Sequence, residues 1–187
     1  MSTAASHRIV VIGGGHAGGQ ILDALRREGF AGELTLLGEE PQLPYQRPPL
    51  SKKYLAGDLI RERLLLRPPA HYEKLQVDTR LGQPVTAIHT DSKRLQLADG
   101  SAVSYDQLAL TTGARVRRLP IENDCLPGVH YLRTLSDVDH VPTTEVEPIG
   151  GHAEIGTLPD PESQHVDEPV LRPLHVAGEN EKVLEVG

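Results

Sequence analysis

One cysteine, Cys125, stands in the whole chain of 187 residues, and tryptophan is absent. A single cysteine excludes an internal disulfide framework, a four-cysteine zinc site and a redox-active cysteine pair, and it fits a reducing, cytoplasmic compartment. Aromatic residues make up 3% of the chain, so any core has to be assembled mainly from Val, Ile, Leu and Ala. No apolar run approaches the roughly 18 residues needed to span a bilayer, and the N-terminus lacks a charged segment followed by a secretory apolar core. A soluble, unexported chain without a membrane partner is the expectation. Positive charge is also scarce. The net charge is −7, and no basic stripe runs along the sequence, so nucleic acid is excluded as a partner by repulsion. The nine histidines show no metal-ligand spacing, which argues against a metal site.

The acidity is local. Residues 142–187 hold ten acidic and two basic side chains, against sixteen and seventeen in residues 1–141. The same segment carries six prolines and five glycines and sustains neither the helical nor the strand period. Two regions follow: a domain over 1–141 and an acidic, Pro/Gly-rich, mostly irregular tail over 142–187.

Within the first region, His7–Ile12 (HRIVVI) is a β-branched run that ends in a glycine cluster, the pattern of a buried parallel strand feeding a tight turn. Apolar residues then recur at helical spacing from His16 to Gly29, and Glu33–Leu37 reads as a second strand. Together they make a βαβ unit of about 30 residues. The glycines fit G-x-G-x-x-G at Gly13, Gly15 and Gly18. In that pattern Gly13 makes the tight turn, Gly15 lets a pyrophosphate approach bare backbone, and Gly18 lets the helix pack closely on the strand. The helix start adds unpaired N–H groups and a positive dipole end. Glu39, just past the second strand, is placed to accept hydrogen bonds from ribose hydroxyls. The bland alternative is a glycine-rich turn that merely joins strand to helix.

Further on, Glu39–Ser51 contains four prolines and reads as a stiff surface loop. Leu64–Leu66 reads as a short strand and Pro68–Leu75 as a short helix, with strands expected at Val77–Leu81 and Val85–His89. A hairpin with arms Arg94–Leu97 and Ala102–Tyr105 turns at Asp99-Gly100, read as supplying positive backbone torsions. Gln107–Thr111 reads as another buried strand, running into Thr112-Gly113, and Val129–Leu132 reads as one more strand. The fold class expected is α/β: a Rossmann-like half-domain with a parallel sheet, a small antiparallel hairpin region and an irregular tail.

The segment Pro44–Leu55 (PYQRPPLSKKYL) after LLGEE, the hairpin, LALTTGAR at Leu108–Arg115 and YLRT at Tyr131–Thr134 occur together in one order. Over residues 7–139 the chain resembles the putidaredoxin and rhodocoxin reductase branch of the FAD-dependent pyridine nucleotide-disulfide oxidoreductases. That resemblance implies FAD as cofactor, with contacts at Ala17 in the glycine loop, Glu39 at the adenosine ribose, Val85 near the adenine, Lys52 near the isoalloxazine, and Arg133, while Thr112 and Gly113 lie close by. Lys52 is then the candidate catalytic residue, a cation that tunes the flavin. The plain alternatives are a solvated lysine beside Lys53 and, for Arg133, a surface arginine. The resemblance further implies electron flow from NADH through FAD to a ferredoxin-type iron–sulfur protein. Absence of a cysteine pair agrees with an external acceptor, and Cys125 reads as structural.

A second, NADH-binding glycine fingerprint is not recognisable. Ile149–Gly156 (IGGHAEIG) comes nearest, but Ala153 occupies the position that has to be bare. With 187 residues there is no room for two complete nucleotide-binding domains, so the chain reads as the N-terminal part of a reductase, with NADH as donor only if the missing domain is supplied. A non-catalytic nucleotide-binding or interaction module and a non-functional truncated product remain as alternative readings.

Overall fold

The computed structural model describes residues 7–118, 120, 126 and 129–141, together with the backbone of 183–185. Strand β1 (Arg8–Ile12) leads through the glycine loop into α1 (His16–Arg27), which returns to β2 (Glu33–Gly38). Strand β2 pairs parallel with β1 in unbroken register, Arg8 opposite Glu33 through Ile12 opposite Leu37. The chain then crosses through α2 (Pro69–Lys74) to β3 (Val77–Leu81), also parallel to β2. After a hairpin region, β7 (Gln107–Leu110) pairs parallel with the other edge of β1. The resulting order, β3-β2-β1-β7, reverses direction between β1 and β7, and the crevice beyond the strand ends at such a point is where open α/β sheets bind ligands.

The period-2 alternation of β1 sorts its side chains into two cores. Ile9 and Val11, with Leu34 and Leu36 of β2, pack against Leu22 of α1 and Tyr72 of α2. Val10, Ile12 and Leu37 face the opposite way, onto an antiparallel sheet. That sheet has the order β6-β5-β4-β8, from β4 (Val85–His89), β5 (Arg94–Leu97), β6 (Ala102–Ser104) and β8 (Val183–Glu185). Burial on both faces explains why β1 reads as a continuous β-branched run rather than an alternating one. Each fully buried Leu in these layers contributes on the order of 1.5–3 kcal/mol. A third cluster, Tyr45, Leu50, Leu64, Leu135 and Val138, joins the crossover to α3 (Leu135–Asp139).

Helix α1 ends where Phe30 N–H reaches Leu25 O (2.9 Å), and the Arg26 guanidinium in its last turn donates to Phe30 O, Gly32 O and Leu75 O. The cation sits at the negative end of the α1 dipole and ties the loop after α1 to the C-cap residue of α2.

Several expectations are corrected. The proline-rich stretch is not confined to the surface, since Pro44, Tyr45 and Leu50 are buried, and a helical turn begins inside it at Leu50. Leu64–Leu66 is not a strand: a 3₁₀ turn covers Arg61–Leu64, and Leu65 makes an isolated bridge to Tyr45. Val129–Leu132 is irregular and joins no ladder among the described residues. In the hairpin turn the positive torsion belongs to Gly100 alone (φ 84°), while Asp99 accepts hydrogen bonds from the Ser101 N–H and hydroxyl. Most of 142–187, Cys125 and Ile149–Gly156 lie outside the described residues.

Candidate dinucleotide site

At the carboxyl ends of β1, β2 and β7 the structure opens a recess of about 940 Å³. Its floor is the glycine loop. Gly13 has φ 111°, and a Cβ there would stand 2.2 Å from Thr111 O, so only glycine turns the chain at this point. Gly18 fails differently: its Cβ would meet Gly13 O at 2.2 Å, which is what lets α1 start against β1. Gly15, by contrast, faces open space, and with Gly14, His16 and Ala17 it lines the recess.

Thr111 fastens this floor to β7. Its hydroxyl is 2.9 Å from Ile12 O and 3.0 Å from Gly13 O, and its N–H donates to Ile12 O (2.8 Å). Gly15 caps α1 without any side-chain hydrogen bond, and the first turn contains no acid. The first N–H groups of a helix have no intrahelical partner; here they are left to whatever occupies the recess, at the positive end of the dipole. An anionic, phosphate-bearing ligand fits that arrangement.

Glu39 and Glu40 follow β2 side by side and are used differently. Glu40 is committed: Oε1 takes Arg47 Nη2 (2.6 Å), and Oε2 accepts from the Tyr45 hydroxyl (2.5 Å). Among the described residues Glu39 makes only an exposed contact with Arg115 (3.7 Å, side chains 63% and 68% accessible), a pair of little strength. Glu39 is therefore the acid free to accept from a ligand hydroxyl. Burial, first, and then the hydrogen bond to Glu40 push the Tyr45 phenol far above its ordinary value, so it stays protonated and donating.

The opposite wall comes from β7 and α3. Thr112, Gly113 and Arg133 line it, with Val85 on the side of the antiparallel sheet. Helix α3 opens with a capping box in which Thr134 Oγ1 accepts from the Asp137 N–H, while Asp137 Oδ2 accepts from the N–H groups of Arg133 (2.8 Å) and Thr134 (2.6 Å). Burial raises the Asp137 pKa, but the hydrogen bonds from Thr134 and Arg133 and the charge of Arg47 outweigh it and hold the carboxyl below its usual range.

Of the residues expected from the sequence, Gly13, Gly15, Ala17, Glu39, Val85, Thr112, Gly113 and Arg133 line one recess. Gly18 lies beneath it as a packing residue. Lys52 is exposed and off the wall; its Nζ is 3.3 Å from the carbonyl of Pro48, which does line the recess. Thr111, Glu40 and Tyr45 are site residues the sequence reading did not single out. No group of side chains among the described residues is arranged to hold a metal ion, and no described helix is long and apolar enough to cross a membrane.

A glycine loop between β1 and an uncapped α1, an acid after β2 and a crevice at the sheet's switch point define a Rossmann-like dinucleotide fold. The sequence profile of the pyridine nucleotide-disulphide oxidoreductases matches residues 7–155. The chain belongs to that family. It is 49% identical over 131 residues to the rhodocoxin reductase of Rhodococcus erythropolis, which covers 70% of this chain and 31% of the relative. The crystal structure of a covalent putidaredoxin reductase–putidaredoxin complex superposes with a TM-score of 0.65 at 38% identity, over 73% of this chain and 33% of the other. For the ferredoxin reductase of the CYP199A2 system from Rhodopseudomonas palustris the TM-score is 0.66 at 38% identity, over 71% and 32%. The chain thus spans about a third of the length of these relatives.

Proposed function

We propose that this chain binds FAD in the recess and forms the flavin half of an NAD(P)H-dependent ferredoxin reductase. The observation that carries the reading is the uncapped start of α1 opening, with bare Gly15, onto the recess at the β1/β7 switch point. In this reading the main chain of residues 13–17 binds the diphosphate, with Gly18 setting the helix close enough to do so. Glu39 orients the adenosine ribose, and Val85 lies against the adenine. Thr112, Gly113 and Arg133 hold the part of the cofactor beyond the diphosphate.

Bound FAD supplies the redox chemistry, taking a hydride from a nicotinamide and returning electrons singly to a ferredoxin-type iron–sulfur protein. Lys52 places a cation one residue off the recess wall, where it favours negative charge on a neighbouring ring and raises its potential. Hydride transfer requires the nicotinamide to be held in contact with the flavin, and no second glycine loop occurs among the described residues. NADH is therefore the donor only when the remainder of a reductase is supplied.

The test is to titrate the purified full chain with FAD, then add NADH and a dye acceptor. The expected result is stoichiometric flavin binding with a perturbed visible spectrum and little NADH-driven bleaching. A folded chain that leaves FAD free removes the reading, and robust NADH turnover removes the requirement for a second half. Tight FAD or ADP binding with no redox turnover even when partner domains are added marks a nucleotide-binding module instead.

A further inference from the structure

The antiparallel sheet is closed on one side by a strand that comes from far along the chain. Strand β8 runs antiparallel to β4, with Val183 opposite His89, Leu184 opposite Ile88 and Glu185 opposite Ala87. On its other side β4 already pairs with β5, so β8 sits on what is otherwise the open edge of β4. The family match ends at residue 155. Strand β8 lies beyond it, so this pairing is not part of what the chain shares with the reductases.

An uncovered β4 is the kind of edge that recruits strands. Its sequence, VTAIH, has no proline, lysine, arginine or acid, whereas β3, an edge of the parallel sheet, exposes Asp78 and Arg80. Charged side chains and prolines are what discourage pairing at an edge. With Val85 and Ile88 buried in the core, β4 is anchored and offers its outer main-chain groups as a template for an extended segment.

The cover is slight. Strand β8 is three residues long, so its ladder holds few hydrogen bonds, each of small net worth once water is counted. It is joined to the domain through residues 142–182, and closing so long a loop costs little more than closing a shorter one. A strand tethered in this way competes for the edge at an effective concentration on the order of 1 mM.

We propose that the β4 edge is a strand-addition site and that β8 is its detachable occupant, a strap that the chain closes on itself. The ligand it takes is an extended segment with the sequence of residues 180–187, seated by main-chain pairing in the β8 register. Because the strand is docked in the structure, its affinity as a free peptide is bounded: about a tenfold preference for the docked form, at an effective concentration of about 1 mM, corresponds to a dissociation constant of about 0.1 mM. The pairing involves no cofactor, so it stands apart from the flavin reading.

The test uses the full chain, isotope-labelled for NMR, and a synthetic peptide copying residues 180–187. Three proteins are compared by the amide shifts of residues 86–90. They are the parent; Leu184→Pro, in which proline removes a donor and breaks the short ladder; and Ala87→Cys/Glu185→Cys in a Cys125→Ser background. The cysteine pair occupies register partners, which in an antiparallel ladder stand about 4.5–5.5 Å apart at Cα, within disulfide reach. Leu184→Pro is expected to bind the peptide at about 0.1 mM and the parent at about 1 mM, since in the parent the tethered strand holds the edge first. The oxidised cysteine pair should give no response at peptide concentrations that saturate the parent, and reduction should restore one. A folded Leu184→Pro whose residues 86–90 ignore the peptide overturns the proposal. So does equal affinity in the parent and Leu184→Pro. Should Leu184→Pro fail to fold, the cysteine pair carries the test: a disulfide that does not form, or one that leaves the peptide response intact, overturns the proposal.

Discussion

Gly18 and Gly19 are neighbours in the first turns of α1, and the structure assigns them opposite responses to one added methyl group. At Gly18 the new Cβ meets the carbonyl of Gly13 at 2.2 Å and the Thr111 hydroxyl at 3.1 Å. The first of these is main chain at the end of a central strand, so the helix start has to recede by about 1 Å. Overpacking of this kind costs roughly 1–3 kcal/mol, and an upper-range value is appropriate because no flexible side chain is there to yield. Alanine recovers at most about 1 kcal/mol through helix propensity, which leaves Gly18→Ala destabilised by about 2 kcal/mol. At Gly19 the nearest atoms are Pro44 Cβ at 3.5 Å and Tyr72 Oη at 3.6 Å, ordinary contacts, so Gly19→Ala is expected to be neutral or stabilised by up to about 1 kcal/mol. The contrast of about 2–3 kcal/mol corresponds to a melting difference of roughly 4–12 °C for a chain of this size. Urea unfolding followed by far-UV circular dichroism measures it, and FAD affinity should fall at least about tenfold in Gly18→Ala alone, since the receding helix carries the diphosphate N–H groups with it. Equal stability of the two variants, or undiminished FAD binding by Gly18→Ala, would refute the close-packing argument.

The two acids after β2 should separate in the same way. Glu39→Gln is expected to lower FAD affinity with little change in unfolding midpoint, and Glu40→Gln to lower the midpoint because its loss leaves Arg47 and Tyr45 short of a charged acceptor; calorimetric titration and urea melts distinguish them. Tyr72→Phe should stabilise the chain by about 1 kcal/mol, since its hydroxyl is buried without a partner among the described residues and an unpaired buried polar group carries a penalty of that order. Burial and the nearby Asp23 carboxylate hold the Tyr72 phenol up at about 12, so this gain should not vary between pH 5 and 9. Asp137 has a depressed folded-state pKa, so its contribution is full above the ordinary carboxylate value near 4 and is lost as pH falls below it. The stability gap between parent and Asp137→Asn should accordingly shrink in urea melts taken from pH 6 down to pH 3, and a constant gap would contradict the assignment.

The parts of the fold legible in the sequence were those fixed by local chemistry. The β1-loop-α1-β2 unit is written in a β-branched run, three spaced glycines and a helical period, and the register of β1 on β2 follows with no shift. The hairpin arms were equally local, whereas β7, expected as a buried strand, is an edge strand among the described residues with Leu110 exposed, because its place beside β1 depends on a pairing between residues far apart in sequence. What stayed hidden depends on residues far apart. Tyr45 reaches Leu135 across 90 positions and Arg47 reaches Arg133 across 86, and nothing near either residue announces its partner. Four prolines obscured the helical turn at Leu50–Tyr54, although Pro49 is its N-cap, where the missing N–H costs the turn no hydrogen bond. Pairing of Val183–Glu185 with β4 was also unforeseen, because three residues in an acidic tail carry no period. Lys52 was named from the motif alone, and its side chain stands next to the recess rather than on its wall.

The central claim is that the main chain of the glycine loop and the first turn of α1 grip a diphosphate. Backbone amide exchange, measured residue by residue on the full chain with and without ADP or FAD, addresses it most directly. Protection is expected to rise at the amides of residues 14–18 with either ligand. Unchanged exchange there while the ligand is demonstrably bound, with protection appearing elsewhere, would contradict the claim.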